Sequence, residues 1–178
     1  AKGIALCLGK AAHLRLGKWS EAVTHLEAAS RQRTAVPAVF HNLALAYERL
    51  GRLSDSHEAL DQAVSRGGDA EPRVHVSFGV LALRAGRFAE ADQHFMRARP
   101  LFGTKAPSAV WYHAASLAAG LAGDLAKAIE ILTEGVAAHP GAAALHNNLA
   151  VALAAVGRGE EALVQIDQGI AADSSIAP

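Results

Sequence analysis

The sequence predicts an all-α protein, a solenoid of about ten antiparallel helices, and three observations lead to this class. The 178 residues are 51% hydrophobic but only 5% aromatic, which is a globular composition with few strand-forming side chains. A glycine motif recurs at intervals of 34 to 37 residues, at Gly17, Gly51, Gly86, Gly123 and Gly157. Apolar residues on both sides of each glycine follow the helical period. Spacing of this length is typical of stacked helical repeats.

The spacing divides residues 3–172 into a single array of five repeats and leaves residues 173–178 as a tail. Each repeat is predicted to be a helix, a tight turn and a second helix, because glycine just past a periodic segment favours the left-handed conformation that ends a helix. A helix of about 14 residues is unstable alone, so each pair must pack on the next. The repeats span about 3–36, 37–71, 72–108, 109–142 and 143–172.

The first two repeats differ in regularity. Gly9 stands eight residues before Gly17, one more than the spacing from Ala44 to Gly51 in the second repeat. We therefore expect an irregular first helix in the first repeat. In the second repeat, apolar side chains at i, i+3, i+4, i+7 and i+10 give the first helix one buried face, formed by Phe40, Leu43, Ala44, Tyr47 and Leu50.

The later repeats are separated by links of different length. Pro72, a favoured first-turn residue, opens the third repeat. Pro100, Gly103 and Pro107 lengthen the link to the fourth repeat by about three residues. In the second helices, small residues recur at two positions and predict close helix packing, at Ala22, Ser56, Ala91, Ala128 and Ala162, and at Ala29, Ala63, Ala98, Gly135 and Gly169.

The motif also carries a family resemblance. Asn42-Leu43-Ala44 with Tyr47 and Gly51, and Asn148-Leu149-Ala150 with Gly157 and Ala162, resemble the tetratricopeptide repeat, and the pattern covers residues 3–172. The resemblance implies a right-handed superhelix of five tandem repeats that binds proteins. Pentatricopeptide arrays have a similar period, but they read RNA and are ordinarily basic. Seventeen Lys and Arg against seventeen Asp and Glu speak against that family.

Composition excludes several other functions. Zero formal net charge disfavours nucleic-acid and anionic-lipid binding. No apolar run approaches the roughly 18 residues of a membrane helix, so no membrane insertion is expected. A single cysteine, Cys7, rules out an internal disulfide and the usual zinc sites. We expect no metal, no cofactor and a cytoplasmic location, with a periplasmic or membrane-tethered parent protein as the alternative.

No active site is predicted either. Asp55-Ser56-His57 has the residue types of a catalytic triad, but consecutive helical residues point about 100° apart and cannot align for proton transfer. The nine histidines include no i, i+4 pair that could hold a metal on one helix. The chain is therefore predicted not to be an enzyme.

Binding residues are predicted on one face. Stacked pairs leave the first helices along a concave groove. Asn42, Ser77 and Asn148 share one repeat position there, where a polar side chain can bond to an extended peptide backbone. The alternative is that these residues bond to a neighbouring helix and only stabilise the stack. The predicted ligand- or peptide-binding residues are His41, Asn42, Glu48, Arg73, Ser77, His113, Asn147 and Asn148.

A terminal-carboxylate clamp is not predicted. In related arrays that bind a chaperone's C-terminus, five Lys, Asn and Arg side chains form this clamp. The corresponding positions in this sequence are Cys7, Ala11, Asn42, Arg73 and Ser77, of which two match.

Stacked repeats would align several cations along one edge, which predicts a possible basic ridge for an acidic partner. Arg15, Arg49 and Arg84 share the position before the glycine, and a second row follows it at Lys18, Arg52, Arg87 and Arg158. The alternative is helix stabilisation, because a cation near a helix C-terminus contributes about 0.3–1 kcal/mol.

The predicted function is a non-enzymatic protein–protein interaction scaffold that binds a peptide or helix of a partner in the concave groove. Two alternatives stay open, a partner- or substrate-selecting arm of a longer multidomain enzyme and a self-associating structural module. For the latter, Leu163, Ile166 and Ile170 form an apolar stripe on the last helix and predict a possible homodimer.

Overall fold

The computed structural model describes residues 18–174. Internal contacts divide the chain into an N-terminal unit that ends at Leu81 and a C-terminal unit that begins at Ala82. The predicted first helix of the first repeat, with its irregular spacing at Gly9 and with Arg15 and Gly17, lies outside the described residues, as do Cys7 and Ala11.

Between residues 18 and 174 the chain forms nine α-helices and one short 3-10 turn, with no β-strand. The N-terminal unit contains α1 (Trp19–Ser30), α2 (Pro37–Arg49), α3 (Leu53–Ser65), the 3-10 turn Gly68–Ala70 and most of α4 (Pro72–Arg84). The C-terminal unit contains the end of α4 and α5 (Phe88–Leu101), α6 (Ala109–Leu121), α7 (Leu125–Ala138), α8 (Ala143–Ala155) and α9 (Gly159–Ser174).

The all-α helical-repeat class is therefore confirmed. Each described helix lies within a predicted repeat, except that α9 continues to Ser174, past the predicted end of the array at residue 172. None of the helices in the described range is long and apolar enough to cross a membrane.

The same glycine turn joins the two helices of repeats two to five. At Gly51, where φ is 75°, the Gly51 N–H donates to the Glu48 carbonyl at 3.0 Å and the Arg52 N–H donates to the Tyr47 carbonyl at 2.9 Å. These two bonds define a Schellman motif, which satisfies carbonyls that the helix end leaves without partners. The motif recurs, with φ of 72°, 97° and 78°, at Gly86, Gly123 and Gly157.

The two rows of small residues are buried, as the sequence predicts. Ala22 and Ala91 are completely inaccessible, and Ser56 satisfies its buried hydroxyl by donating to the Ala44 carbonyl at 2.8 Å. At Gly135 a Cβ atom would lie 2.9 Å from the Cβ of Tyr112. Glycine at this position therefore lets α7 approach α6 more closely than any side chain would permit.

Different contacts hold each unit together. In the N-terminal unit, Leu26, Leu60 and Val74 are at most 1% exposed in a hydrophobic core. In the C-terminal unit, Trp111 makes edge-to-face contacts with three aromatic rings, those of Phe95, Phe102 and Tyr112. Two ion pairs also join α5 to α7, Asp92 with Lys127 and Arg99 with Glu134.

Candidate functional site

The first helices of two neighbouring repeats form an open cavity in the C-terminal unit. The cavity lies between α6 and α8, and its volume is about 350 Å³. Four residues that the repeat positions place on the concave face line this cavity, namely His113 and Leu117 from α6 and Asn148 and Val151 from α8. The structure therefore brings together two of the predicted polar binding residues, His113 and Asn148, with two apolar ones.

A short hydrogen bond links the two polar residues of the cavity. The Asn148 side-chain amide donates from Nδ2 to Nδ1 of His113 at 2.6 Å. The bond joins the first helices of the fourth and fifth repeats. Asn148 is half-buried and His113 is exposed, so the pair lies at the surface of the cavity.

The remaining walls are apolar and accessible. Leu117 is 44% exposed and Val151 is 71% exposed, and Leu121 extends the same surface at the end of α6. No Lys, Arg, Asp or Glu is among the described residues that line the cavity. The cavity is therefore suited to an uncharged, apolar group with one or two hydrogen-bonding atoms beside it.

The floor of the cavity was not predicted from the sequence. Leu125, Ala128 and Leu132 from the second helix α7 line it, together with Ser116 and Gly120 of α6. Ser116 is buried and donates its hydroxyl to the His113 carbonyl at 2.9 Å. The small residues Gly120 and Ala128 were a usable signal, because small side chains leave room for a cavity.

In the N-terminal unit, His41 and Ser77 make the equivalent contact. His41 and His113 share one repeat position, and Nε2 of His41 lies within hydrogen-bonding distance, 3.0 Å, of the Ser77 hydroxyl oxygen. His41 is only 6% exposed, and burial lowers its pKa to about 4, with a further contribution from the charge of Arg73. A neutral, buried imidazole between two helices favours the stack-stabilising alternative for this pair.

The other predicted binding residues do not line the cavity. Asn42 and Glu48 are half-buried on α2, and Arg73 is exposed and forms an ion pair with Glu71. Asn147 is exposed on α8, and its Oδ1 lies 3.3 Å from the position that a Cβ on Gly169 would occupy. Their role in binding stays a prediction.

The basic ridge also stays a prediction. The guanidinium of Arg49 lies 5.5 Å from the centroid of the Trp19 ring, Arg84 ends α4, and Arg15 is outside the described residues. The second row of cations is paired with carboxylates three residues ahead, in the pairs Lys18–Glu21, Arg52–Asp55, Arg87–Glu90 and Arg158–Glu161. Such pairs fit the helix-stabilising alternative for that row.

A second cavity lies among α1, α2 and α3 of the N-terminal unit, with a volume of about 330 Å³. The Tyr47 hydroxyl donates to Oε1 of Glu27 at 2.7 Å at this site. Burial, with this hydrogen bond to a carboxylate, raises the pKa of Tyr47 to about 12. The Arg52 guanidinium lies 4.4 Å from the ring centroid of Tyr47. Tyr47 is therefore held by a carboxylate on one side and a guanidinium on its ring.

The three residues that resemble a triad have separate partners. Ser56 donates to the Ala44 carbonyl, Asp55 accepts from Arg52, and Nδ1 of His57 lies 3.2 Å from a carboxylate oxygen of Asp61. Over residues 18–174, no group of three or more His, Cys, Asp and Glu side chains is placed to hold a metal ion.

Comparisons with known proteins agree with the repeat architecture. Two family models described as tetratricopeptide repeat match residues 41–109 and 121–175. No curated protein sequence matches the chain. The chain is similar to a solved structure of MamA, residues 41 to the end, from Desulfovibrio magneticus RS-1, with a TM-score of 0.85 and 17% identity over 100% of this chain and 98% of that one.

Two further solved structures show the same likeness. One, MamA MSR-1 C2, has a TM-score of 0.78 and 19% identity over 99% of both chains. The other, the APC/C hetero-tetramer Cut9–Hcn1, has a TM-score of 0.78 and 18% identity over 96% of this chain and 33% of that one. At these identities the likeness shows the fold alone.

The two family models together span more than half of the chain, and the matched segments contain the Schellman glycines of repeats two to five. Arrays of this kind are typically protein-interaction scaffolds, while the count of five repeats stays a prediction. The chain belongs to the tetratricopeptide-repeat family.

Proposed function

We propose that the chain is a non-enzymatic scaffold in which the cavity between α6 and α8 binds an apolar side chain of a partner peptide or helix. The observation that carries this proposal is the convergence of His113, Leu117, Asn148 and Val151 on one cavity without charged lining residues. Two first helices supply these residues, as binding across a concave repeat surface requires.

Apolar contact supplies the affinity in this proposal. Leu117 and Val151 are accessible to solvent, and Leu132 lies at the bottom of the cavity. Fully burying one Leu, Met or Phe side chain of a ligand contributes about 1.5–3 kcal/mol. A single anchor is too weak for micromolar binding, which needs about 8 kcal/mol, so the peptide must contact neighbouring groove positions as well.

Asn148 supplies the orientation. Its Nδ2 is directed to His113, and its Oδ1 makes no hydrogen bond with any described residue. This oxygen can accept an N–H of an extended peptide backbone, and the bond to His113 holds the amide in place. An arm of a longer enzyme would use the same cavity to select its partner, so that alternative changes the context of binding and not its site.

The test is a selection from a random peptide display library, followed by affinity measurements with synthetic copies of the enriched peptides. We expect the peptides to share an apolar anchor. Leu117→Glu and Val151→Glu place a charge in the cavity and should each weaken binding at least tenfold, about 1.4 kcal/mol or more.

Val164→Glu is the matched control, because Val164 is 53% exposed on the second helix α9 and does not line the cavity. It should leave the affinity unchanged. If Val164→Glu weakened binding as much as Leu117→Glu and Val151→Glu, or if none of the three changed the affinity, the cavity would not be the binding site.

A further inference from the structure

The last described helix has an accessible apolar surface. On α9, Leu163 is 64% exposed, Ile166 is 39% exposed and Ile170 is 62% exposed. At about 100° per residue, these three side chains fall within about 60° of one another around the helix axis. We call these three residues the α9 stripe. On the same helix, Ala162 and Ala172 are buried.

Two positions of the α9 stripe are occupied by buried residues elsewhere in the chain. Ile166 occupies the repeat position of Leu26, Leu60, Phe95 and Leu132, and each of these four is at most 3% exposed. Leu163 corresponds to Ile129 of α7, which is 8% exposed. In that repeat the next first helix, α8, packs against α7. The α9 stripe therefore has the spacing and the residue types that receive a helix elsewhere in the chain.

Charge distinguishes α9 from α7, the second helix of the preceding repeat. Its sequence contains four carboxylates and no Lys or Arg. Asp167 and Asp173 lie about 60° to either side of the stripe at 100° per residue, and both are exposed. Neither makes an ion pair with a described residue. The stripe is thus an apolar surface with a negative charge on each flank.

We propose that the α9 stripe binds an amphipathic helix of a partner, whose apolar residues repeat at helical spacing and whose flanks carry Lys or Arg. The apolar positions are those that first helices present to second helices within this array. The basic flanks complement Asp167 and Asp173 on the two sides of the stripe. This surface is on a different helix from the cavity between α6 and α8, so the proposal goes beyond the proposed function.

The charges favour this occupant over a second copy of the chain. Two α9 helices packed stripe to stripe would bring the carboxylates of both copies together without any Lys or Arg of α9 between them. Like charges that face each other across an interface oppose association. The homodimer predicted from the sequence is therefore an outcome that the test must be able to detect.

The experiment uses two fluorescent peptides of about four helical turns. Both carry Leu at the apolar positions of a first helix, and one has Lys on both flanks where the other has Glu. Fluorescence anisotropy measures their binding to the protein and to its variants. We expect the Lys peptide to bind at least tenfold more tightly than the Glu peptide, with a preference that decreases as salt is added.

Variants locate the binding. Ile166→Gln should weaken binding of the Lys peptide at least fivefold, and the double variant Asp167→Asn with Asp173→Asn should remove most of its salt dependence. Val164→Gln is the matched control, because Val164 is 53% exposed and lies about 100° away from Leu163 on the same helix. The Val164→Gln variant should bind the Lys peptide as tightly as the original protein does.

Two results would overturn the proposal. In the first, the Lys peptide does not bind, binds only as tightly as the Glu peptide, or binds Ile166→Gln as tightly as it binds the original protein. The other is a dimer in light scattering that Ile166→Gln converts to a monomer, since a second copy would then cover the stripe. Circular dichroism of each variant confirms that its helices are intact.

Discussion

His41 and His113 occupy the same repeat position and each bonds to a polar residue of the following repeat, yet they differ in exposure. His41 with Ser77 is buried, and His113 with Asn148 lies at a cavity that solvent reaches. The repeat positions predict both residues from sequence. They do not predict which pair is buried, because that depends on the bulk of the neighbouring side chains.

Acid should weaken the fold through His41. Burial lowers the pKa of this side chain from 6.5 to about 4, so the folded protein favours the neutral ring. The contribution of His41 to the free energy of unfolding is therefore fully present above pH 6.5 and is lost as the pH falls toward 4. Between pH 7 and pH 5 the free energy of unfolding should decrease by about 2 kcal/mol through this group. Urea unfolding at both pH values measures it.

The variant His41→Gln should lose that part of the pH dependence while keeping a group that can bond to Ser77. Nuclear magnetic resonance of the His41 ring provides an independent check. A titration midpoint at the ordinary value of 6.5 would contradict the account of its burial.

Two glycines in the C-terminal unit should respond in opposite ways to alanine. A Cβ at Gly135 would lie 2.9 Å from Tyr112 and 3.2 Å from Leu145, so Gly135→Ala should destabilise by about 1–3 kcal/mol through overpacking. A Cβ at Gly120 meets only Ala128 at 3.8 Å, so Gly120→Ala should be neutral or stabilise by up to about 1 kcal/mol through helix propensity. Denaturant titration compares the two, and equal effects would be inconsistent with the close approach of α6 and α7.

Between elements, the glycine turn decides where each helix ends. Four Schellman motifs at equivalent positions fix the connections of the described repeats. Their location can be predicted from the sequence, because glycine adopts the left-handed conformation that ends a helix more readily than other residues do. The floor of the cavity is not readable in this way, since it depends on how far apart α6 and α8 lie.

Alanine at a turn glycine should cost stability without creating a clash. Gly123 has a φ of 97°, and nothing lies within 4 Å of a Cβ placed there. The left-handed conformation alone should make Gly123→Ala destabilising by about 1–2 kcal/mol. Gly159→Ala, also free of nearby atoms but at the start of α9, is the control and should change the unfolding free energy little. A neutral Gly123→Ala would refute this explanation of the turn.

The ion pair between α5 and α7 should also be measurable. Nζ of Lys127 lies 2.7 Å from Oδ2 of Asp92, whose other carboxylate oxygen is buried without a hydrogen bond to any described residue. Lys127→Met leaves the carboxylate without its cation and should cost about 1–3 kcal/mol. Adding Asp92→Asn should recover part of that loss. A double-mutant cycle with no coupling energy would show that the pair contributes nothing.

At the scale of the whole molecule, period, glycine and small residues predict an all-α repeat protein, because each repeat must bury the same positions in the same way. The binding residues are less predictable. Eight polar residues of the first helices are predicted to bind a ligand, but only His113 and Asn148 of these line the cavity. The cavity is harder to predict than the fold because it depends on unfilled volume between helices. The sequence indicates such volume only indirectly, through small residues such as Gly120 and Ala128.

The central claim is that the cavity between α6 and α8 binds a peptide side chain, and methyl nuclear magnetic resonance of the full chain tests it most directly. A peptide enriched from the display library is titrated into protein labelled at Leu, Val and Ile methyl groups. We expect the largest shifts at Leu117, Leu132 and Val151, with Val164 and Ile166 unchanged. Shifts confined to residues outside the cavity, with Leu117 and Val151 unmoved by a peptide that binds, would contradict it.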